Sequence, residues 1–232
     1  MPKYLAIDAS TEACSVALNL ENSVNSEFEL CPQSHSIVLL PMIDRLLNHA
    51  DVKLSDLDGL VFGRGPGSFT GVRIGVGVAQ GLAFSADLPV VGVSTLQTMA
   101  QQAYEKYQQT EVIAAIDARM SEVYAGYFKL NDCGVMVAIL EETVLPPADL
   151  AQYLSEHTQG CYGVGSGWDA YQTELSSLKT NSGSPDILFP DASAMFNIAL
   201  KEFSDGNAVS AEHAQPVYVR DTVSWKKLPG RE

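Results

Sequence analysis

The chain has 232 residues and a formal net charge of −14, and its length allows one large domain or two small ones with cores of their own. A nucleic-acid backbone is bound mainly by Lys and Arg, so this acidic excess makes direct binding of RNA by the isolated chain unfavourable. The one local basic cluster lies in the tail and is better explained as a solvated terminus than as a binding site: Arg220, Lys226, Lys227 and Arg231.

The start of the chain and its cysteines indicate a cytoplasmic protein. Residues 4–7 already have the character of a strand, so we expect no secretory signal. No uncharged apolar run reaches the length of a transmembrane helix, and we expect no membrane association. The four cysteines are widely spaced without a Cys-x-x-Cys pair, as is typical of reduced cytosolic thiols: Cys14, Cys31, Cys133 and Cys161.

The first half of the chain predicts a three-stranded start followed by alternating helices and strands. The third strand alternates apolar and polar residues, and the hydrophobic period then changes to that of helices. The predicted strands are 3–9, 14–21, 24–30, 58–63 and 90–94, and the predicted helices are 34–49, 68–86 and 95–109. The order β-β-β-α-β-α-β-α is that of the ribonuclease-H-like unit found in actin and the sugar kinases.

The second half begins the same unit again. Asp8 ends the first strand and Asp117 ends a later apolar strand, and each is followed by an alternating strand. A strand at 135–144, a helix at 147–157, a strand at 161–164, a loop at 180–185 and a helix at 192–203 complete the prediction. We therefore predict an α/β, actin-like fold of duplicated mixed sheets with flanking helices, with lobes at 1–110 and 111–232 and an abbreviated second unit.

A glycine-dense turn at 63–75 follows an apolar strand and opens a helix. Gly65 and Gly67 lack the Cβ atoms that would block a close approach, and Ser68 or Thr70 can cap the helix. A Walker loop is nearly excluded, because no Lys occurs between 53 and 106. A Rossmann fingerprint is only weakly matched, since at least three strands come earlier. A tight corner without a ligand stays equally open.

A weak nucleotide site is predicted at two hairpin turns and one glycine loop. In actin-like kinases an Asp at the end of the first strand holds a magnesium-bound nucleotide, and turns from both halves contact its phosphates. The matching residues here are Asp8, Ser10, Thr11, Asp117, Gly163, Gly165 and Gly167. Ordinary turn chemistry explains the same residues, because Asp and Ser bond their own backbone and Gly supplies positive φ.

Neither a metal site nor a catalytic nucleophile is indicated. No two of His35, His49, His157 and His213 are close enough in sequence to share a helical face as ligands. No Gly-x-Ser-x-Gly elbow occurs. We therefore expect no metal and no cofactor of the protein's own.

Two helices predict a surface for another protein. Glycines inside the helix 70–86 each cost about 0.5–1 kcal/mol relative to Ala, a cost that a closely packed partner helix would offset. The helix 34–49 is apolar around more of its circumference than one buried face requires. The alternative is that the second half of the chain covers this helix. The predicted interface residues are His35, Leu39, Met42, Ile43, Leu46, Gly71, Val72, Gly75, Val78, Ala79 and Leu82.

Four segments resemble one known family. They are Ile7-Asp8-Ala9-Ser10-Thr11, His35-Ser36 ahead of Leu40-Pro41, the glycine-rich run from Gly65 to Gly75, and Pro216-Val217-Tyr218-Val219-Arg220. Together they are similar to the TsaB (YeaZ) family, bacterial subunits of the machinery that forms threonylcarbamoyladenosine in tRNA. The resemblance covers nearly the whole chain, and its most specific part is the glycine-rich run.

The resemblance implies a non-catalytic subunit that binds a TsaD-like catalytic paralogue and a TsaE-like ATPase. The predicted surface of helices 34–49 and 70–86 also favours a homodimer when the chain is alone, and the acidic charge agrees with contact to tRNA only through the complex. ATP or ADP and metal are then expected on the partner subunits. The metal site of TsaD uses a His-x-x-x-His pair, whereas His35 is followed four residues later by Leu39, so that chemistry cannot be transferred here. The alternative function is an actin-like metalloprotease (glycoprotease) or a small ATPase.

Overall fold

The computed structural model describes residues 2–21, 23–175, 178, 180 and 185–220. The predicted loop at 180–185 therefore lies mostly outside the described residues, as does the basic tail cluster except Arg220. No described helix is both long enough and apolar enough to cross a membrane.

The first sheet contains five strands in the order β3-β2-β1-β4-β5. Strands β1, β2 and β3 pair antiparallel, and β4 and β5 continue the sheet parallel to β1. Every residue of β1 and β4 is buried, as expected for central strands covered on both faces. The strand bounds are β1 Tyr4–Asp8, β2 Ala13–Leu20, β3 Ser23–Leu30, β4 Gly59–Gly63 and β5 Val90–Val93.

Three helices follow the strands of this sheet. They are α1 (His35–His49), α2 (Phe69–Ala86) and α3 (Thr95–Tyr107). Serine hydroxyls cap the last two: Ser68 accepts from the backbone N–H of Gly71 and Ser94 from that of Gln97, so each satisfies a free helix donor.

The second sheet has the order β10-β6-β7-β8, with β9 paired to β7 as well. Its strands are β6 Glu111–Asp117, β7 Val123–Leu130, β8 Met136–Ala138, β9 Thr143–Leu145 and β10 Tyr162–Val164, and the later helices are α4 Pro147–Ser155, α5 Gly167–Ala170, α6 Gln172–Leu175 and α7 Phe196–Ser204. The single strand predicted at 135–144 was wrong, because the chain leaves the sheet after β8 and Glu142 turns inward to accept a hydrogen bond from the Ser94 hydroxyl.

The hydrophobic core crosses between the two halves of the sequence. Helices α1 and α2 cover one face of the first sheet, while α7, from the end of the chain, covers the other face. Helix α3 packs instead with residues of the second sheet. The predicted division at residue 110 thus separates the two sheets. It does not separate the helices that cover them, because α3 and α7 each cover the sheet of the other half. As a division into domains it stays a prediction.

The duplicated α/β architecture is confirmed. Each sheet starts with an antiparallel strand pair, β1 with β2 and β6 with β7, and places a parallel strand beside the first member of that pair. Among the described residues, the first unit has two parallel strands, β4 and β5, and the second unit has one, β10. The second unit is therefore the shorter one, as predicted.

Candidate functional site

The glycine-rich turn after β4 approaches the chain's own backbone. A Cβ on Gly67 would lie 2.1 Å from the carbonyl oxygen of Ser10, and one on Gly71 would lie 2.2 Å from that of Ala9. The backbone N–H of Ser68 also donates to the Ser10 carbonyl, at 2.7 Å. These contacts correspond to a tight strand-to-helix corner held against the turn after β1.

The same contacts correct the predicted reason for the glycines of α2. Gly71 and Gly75 are buried against Ala9 of the same chain, so they give room to the turn after β1 rather than to a partner helix. Gly77 and Gly81 differ, because both are exposed and a Cβ on either would meet no atom within 4 Å. Gly77 and Gly81, the two open glycines of α2, are therefore not among the predicted interface residues.

The predicted interface residues of α1 lie on the inner face of the helix, and their role in an interface stays a prediction. His35, Leu39, Met42, Ile43 and Leu46 are all buried in the chain's own structure. On α2, Val72 and Ala79 are buried, and Val78 and Leu82 are partly buried against the same core. The apolar period of the sequence identified helical residues correctly but did not indicate which of them face the sheet.

The outward faces of α1 and α2 carry apolar groups that sequence reasoning missed. Ile37 is 74% exposed and Leu40 is 49% exposed on α1, and Phe84 is 80% exposed on α2. Phe84 lines a surface groove together with Gly77 and Gly81. We call Ile37, Leu40, Gly77, Gly81 and Phe84 the outer helix face.

Asp8, at the end of β1, is buried within the protein. Its Oδ1 accepts hydrogen bonds from the backbone N–H and the hydroxyl of Ser10, and the Ser10 hydroxyl in turn accepts one from Thr95. Oδ2 faces Gly63, where any Cβ would collide with it, and no donor among the described residues reaches it. Burial raises the pKa of Asp8 to about 6, against the opposing effect of the Ser10 hydrogen bonds.

The other predicted nucleotide residues are distributed between the core and a cleft. Thr11 is buried beside Asp8. A Cβ on Gly165 or Gly167 would meet the backbone of Ala115 in β6, so these glycines serve close packing, and Gly163 lies within β10. Asp117 accepts hydrogen bonds from the Arg119 side chain and the Tyr171 hydroxyl. Nucleotide binding by this set stays a prediction.

An open cleft between the turns after β1 and β6 contains Asp117. Its lining includes two further carboxylates and one cation, none of which the sequence reasoning selected. Arg119 bridges Glu12 at 2.8 Å and Asp117 at 3.0 Å, so its charge is already paired. Because the lining carries three carboxylates and one cation, its net charge is negative, and a triphosphate alone would be repelled here. The lining residues are Glu12, Asp117, Arg119, Ser166, Asp169, Ala170 and Phe189.

Two thiols and an imidazole meet on the face of the first sheet that α1 and α2 cover. Ligand atoms of Cys14, Cys31 and His35 lie within 4.8 Å of one another, and all three residues are buried. Burial, followed by the neighbouring Cys31 thiol, raises the pKa of Cys14. Local Cys and His spacings do not show this cluster, because the β2–β3 hairpin and the start of α1 bring the residues together. The available signal was the position of Cys14 and Cys31 at the open end of the predicted hairpin.

The end of the described chain is held against both sheets. The guanidinium of Arg73 lies 3.5 Å from the ring centre of Phe69 and donates to the Tyr218 hydroxyl at 2.7 Å. Arg220 pairs with the Glu122 carboxylate and donates to the carbonyl of Ala118 at 3.1 Å. The C-terminal motif therefore contacts the start of α2 and the hairpin between β6 and β7.

The sequence is similar to curated proteins over nearly its full length. It is 47% identical to the tRNA threonylcarbamoyladenosine biosynthesis protein TsaB of Escherichia coli (strain K12), covering 99% of this chain and 100% of that protein. The protein of the same name from Haemophilus influenzae is 44% identical, with 98% of each chain covered. The chain belongs to the TsaB family.

Two further comparisons agree with TsaB membership. The family model described as TsaD, tRNA N6-adenosine threonylcarbamoyltransferase, matches residues 20–180, which relates TsaB chains to that transferase family. A solved structure of an uncharacterized protein with similarity to peptidase YEAZ, from Pseudomonas aeruginosa, has a TM-score of 0.87 and 44% identity, with 95% of this chain and 100% of that chain covered. The resemblance predicted from sequence motifs is thereby confirmed.

Proposed function

We propose that this TsaB-family chain is a cytosolic, non-catalytic subunit in the biosynthesis of threonylcarbamoyladenosine in tRNA. The observation that carries the proposal is the end-to-end similarity to two proteins named for that process. The chain acts by binding a TsaD-like paralogue, with a TsaE-like ATPase joining the pair. With a net charge of −14, it leaves recognition of tRNA to the other subunits.

The outer helix face is the proposed surface for the paralogue. The TsaD model spans α1 and α2 of this chain, so the paralogue carries an equivalent helix pair. Two equivalent helix pairs can pack about a pseudo-twofold axis, and two copies of one chain can do the same about a true twofold axis. The homodimer and the heterodimer therefore compete for one surface, which large apolar side chains and open glycines make suitable for helix packing.

The test of this surface is a double substitution, Leu40→Glu with Phe84→Glu. Both side chains are largely exposed in the isolated chain, so the monomer keeps its fold while two carboxylates enter the contact. We expect light scattering to show monomers and a co-purified TsaD-like protein to be lost. The matched control is Ile139→Glu, an exposed apolar residue of the second half. Intact dimers and unchanged partner binding in the double variant would place the interface elsewhere.

Substitutions on the buried inner face of α1 cannot test the proposed surface. Met42→Glu, at a residue of the predicted interface, would place a carboxylate in the core, because Met42 is 1% exposed. A buried unpaired charge destabilises the fold, so lost association in that variant would report unfolding rather than the interface. Circular dichroism of every variant separates the two effects.

The absence of catalysis by the isolated chain is supported by two observations. Asp8 is buried and hydrogen-bonded to Ser10, and the charged groups that line the cleft at Asp117 are three carboxylates and one arginine. We expect neither ATP turnover nor peptide hydrolysis by the isolated chain, with cofactors and catalytic metal belonging to the partner subunits. The alternative function is a metalloprotease or a small ATPase. It is favoured by the related Pseudomonas aeruginosa structure, which is described as similar to peptidase YEAZ. Turnover that is lost in Asp8→Asn or Asp117→Asn would establish that alternative.

A further inference from the structure

The hairpin of β2 and β3 and the first turn of α1 bring three metal-binding side chains to one buried point. Cys14 lies opposite Glu29 in the hairpin, and the backbone N–H of Cys31 donates to the carbonyl of Glu12 at 3.0 Å. Cys14 in β2 and Cys31, the residue after β3, are thus diagonal neighbours. His35 begins α1 directly after the turn that follows Cys31, and the ligand atoms of the three side chains lie within 4.8 Å of one another.

The imidazole of His35 is oriented as in known metal sites. Its Nε2 lies 2.7 Å from the carbonyl oxygen of Thr11, and a carbonyl can only accept, so Nε2 carries the proton. In the neutral ring the lone pair is then on Nδ1, which is free to bind a cation. Metal-binding histidines almost always donate their other ring N–H to a carbonyl or a carboxylate. The Thr11 carbonyl supplies that partner.

We propose that Cys14, Cys31 and His35 form a binding site for Zn²⁺, with two thiolates and Nδ1 as ligands. Zn²⁺ is bound in proteins by Cys and His at about 2.3 Å and 2.0–2.1 Å, in tetrahedral geometry, which sets ligand atoms roughly 3.3–3.8 Å apart. The three ligand atoms lie within 4.8 Å of one another and move closer together when the ion binds. A water molecule or a nearby oxygen takes the fourth position.

Binding releases the two thiol protons to solvent and leaves the proton of His35 Nε2 in place, so the ion with its two thiolates is neutral. A neutral centre suits the apolar surroundings, where the core side chains of α1 and the first sheet pack. The ion joins β2, the end of β3 and the start of α1. The proposal revises the sequence prediction of no metal and does not depend on the proposed function.

The test begins with the full chain, reduced, treated with a chelator and titrated with Zn²⁺. We expect one ion per chain, about two protons released per ion near pH 7, and a rise in melting temperature with the concentration of free Zn²⁺. Co²⁺ serves as a second probe, since tetrahedral thiolate coordination produces visible absorption and thiolate-to-cobalt charge-transfer bands.

Substitutions identify the ligands. Cys14→Ser, Cys31→Ser and His35→Gln each weaken Zn²⁺ binding by at least about 100-fold, and the cysteine variants lose the charge-transfer bands. The matched controls are Cys133→Ser, an exposed cysteine outside the site, and His213→Gln; both keep one ion per chain. The proposal is overturned if the wild-type chain binds no Zn²⁺, or if a control substitution abolishes Zn²⁺ binding. It is also overturned if peroxide forms a disulfide between Cys14 and Cys31 while the reduced protein binds neither Zn²⁺ nor Co²⁺.

Discussion

The buried carboxyl group of Asp8 couples its ionisation to folding. Burial raises its pKa to about 6 from 3.8, so the folded state favours the protonated form. The stabilisation is therefore fully present below the unfolded pKa and is lost as the pH rises through about 6. The resulting cost to the free energy of unfolding approaches roughly 3 kcal/mol at pH values well above 6.

We predict that Asp8→Asn raises the free energy of unfolding at pH 8 and has little effect near pH 4. The amide keeps an oxygen for the Ser10 hydrogen bonds and removes the buried charge. Denaturant unfolding at several pH values between 4 and 8 measures the difference. Asp132→Asn, at an exposed turn, is the control and should leave the pH dependence of the wild type intact. A variant as pH-dependent as the wild type would contradict the prediction.

Helix α2 contains two kinds of glycine with opposite expected responses to Ala. A Cβ on Gly71 would lie 2.2 Å from the Ala9 carbonyl oxygen, whereas one on Gly81 would meet nothing within 4 Å. We predict that Gly71→Ala lowers the free energy of unfolding by about 1–3 kcal/mol through overpacking. Gly81→Ala should raise it by about 0.5–1 kcal/mol, because Ala is the better helix former.

The two substitutions on α2 are each other's control, since the chemical change and the helix are the same. Thermal unfolding at low protein concentration measures both with the least contribution from any self-association. Equal changes in the free energy of unfolding would show that the close approach of α2 to the turn after β1 leaves room for a Cβ at position 71.

The whole molecule carries a net charge of −14, and five of its ten described Lys and Arg side chains are paired with carboxylates. We predict that the isolated chain does not retain tRNA at physiological salt, because it has few free cations to release counterions from phosphates. Filter binding measures this, with the complex of all subunits as the positive control. A complex of roughly micromolar affinity or tighter in that buffer would mean that this chain recognises RNA by itself.

Most elements could be located from sequence because their hydrophobic period is strong. Helices α1, α2 and α3 and the first five strands begin and end within two residues of the predicted bounds. The prediction for 135–144 was wrong because its two short strands lie on either side of a loop with a partly buried Glu142, and a period-2 pattern does not show where a strand leaves its sheet.

The sequence by itself determined the duplicated α/β fold, the family and the acidic character of the chain, because these depend on local periodicity, specific motifs and composition. Only the tertiary structure decided which face of α1 is buried, which glycines of α2 are open, and that Cys14, Cys31 and His35 share one point. The physical reason is that strand register and helix rotation are set by contacts between residues far apart in the chain. Neither can be derived from a pattern read along it.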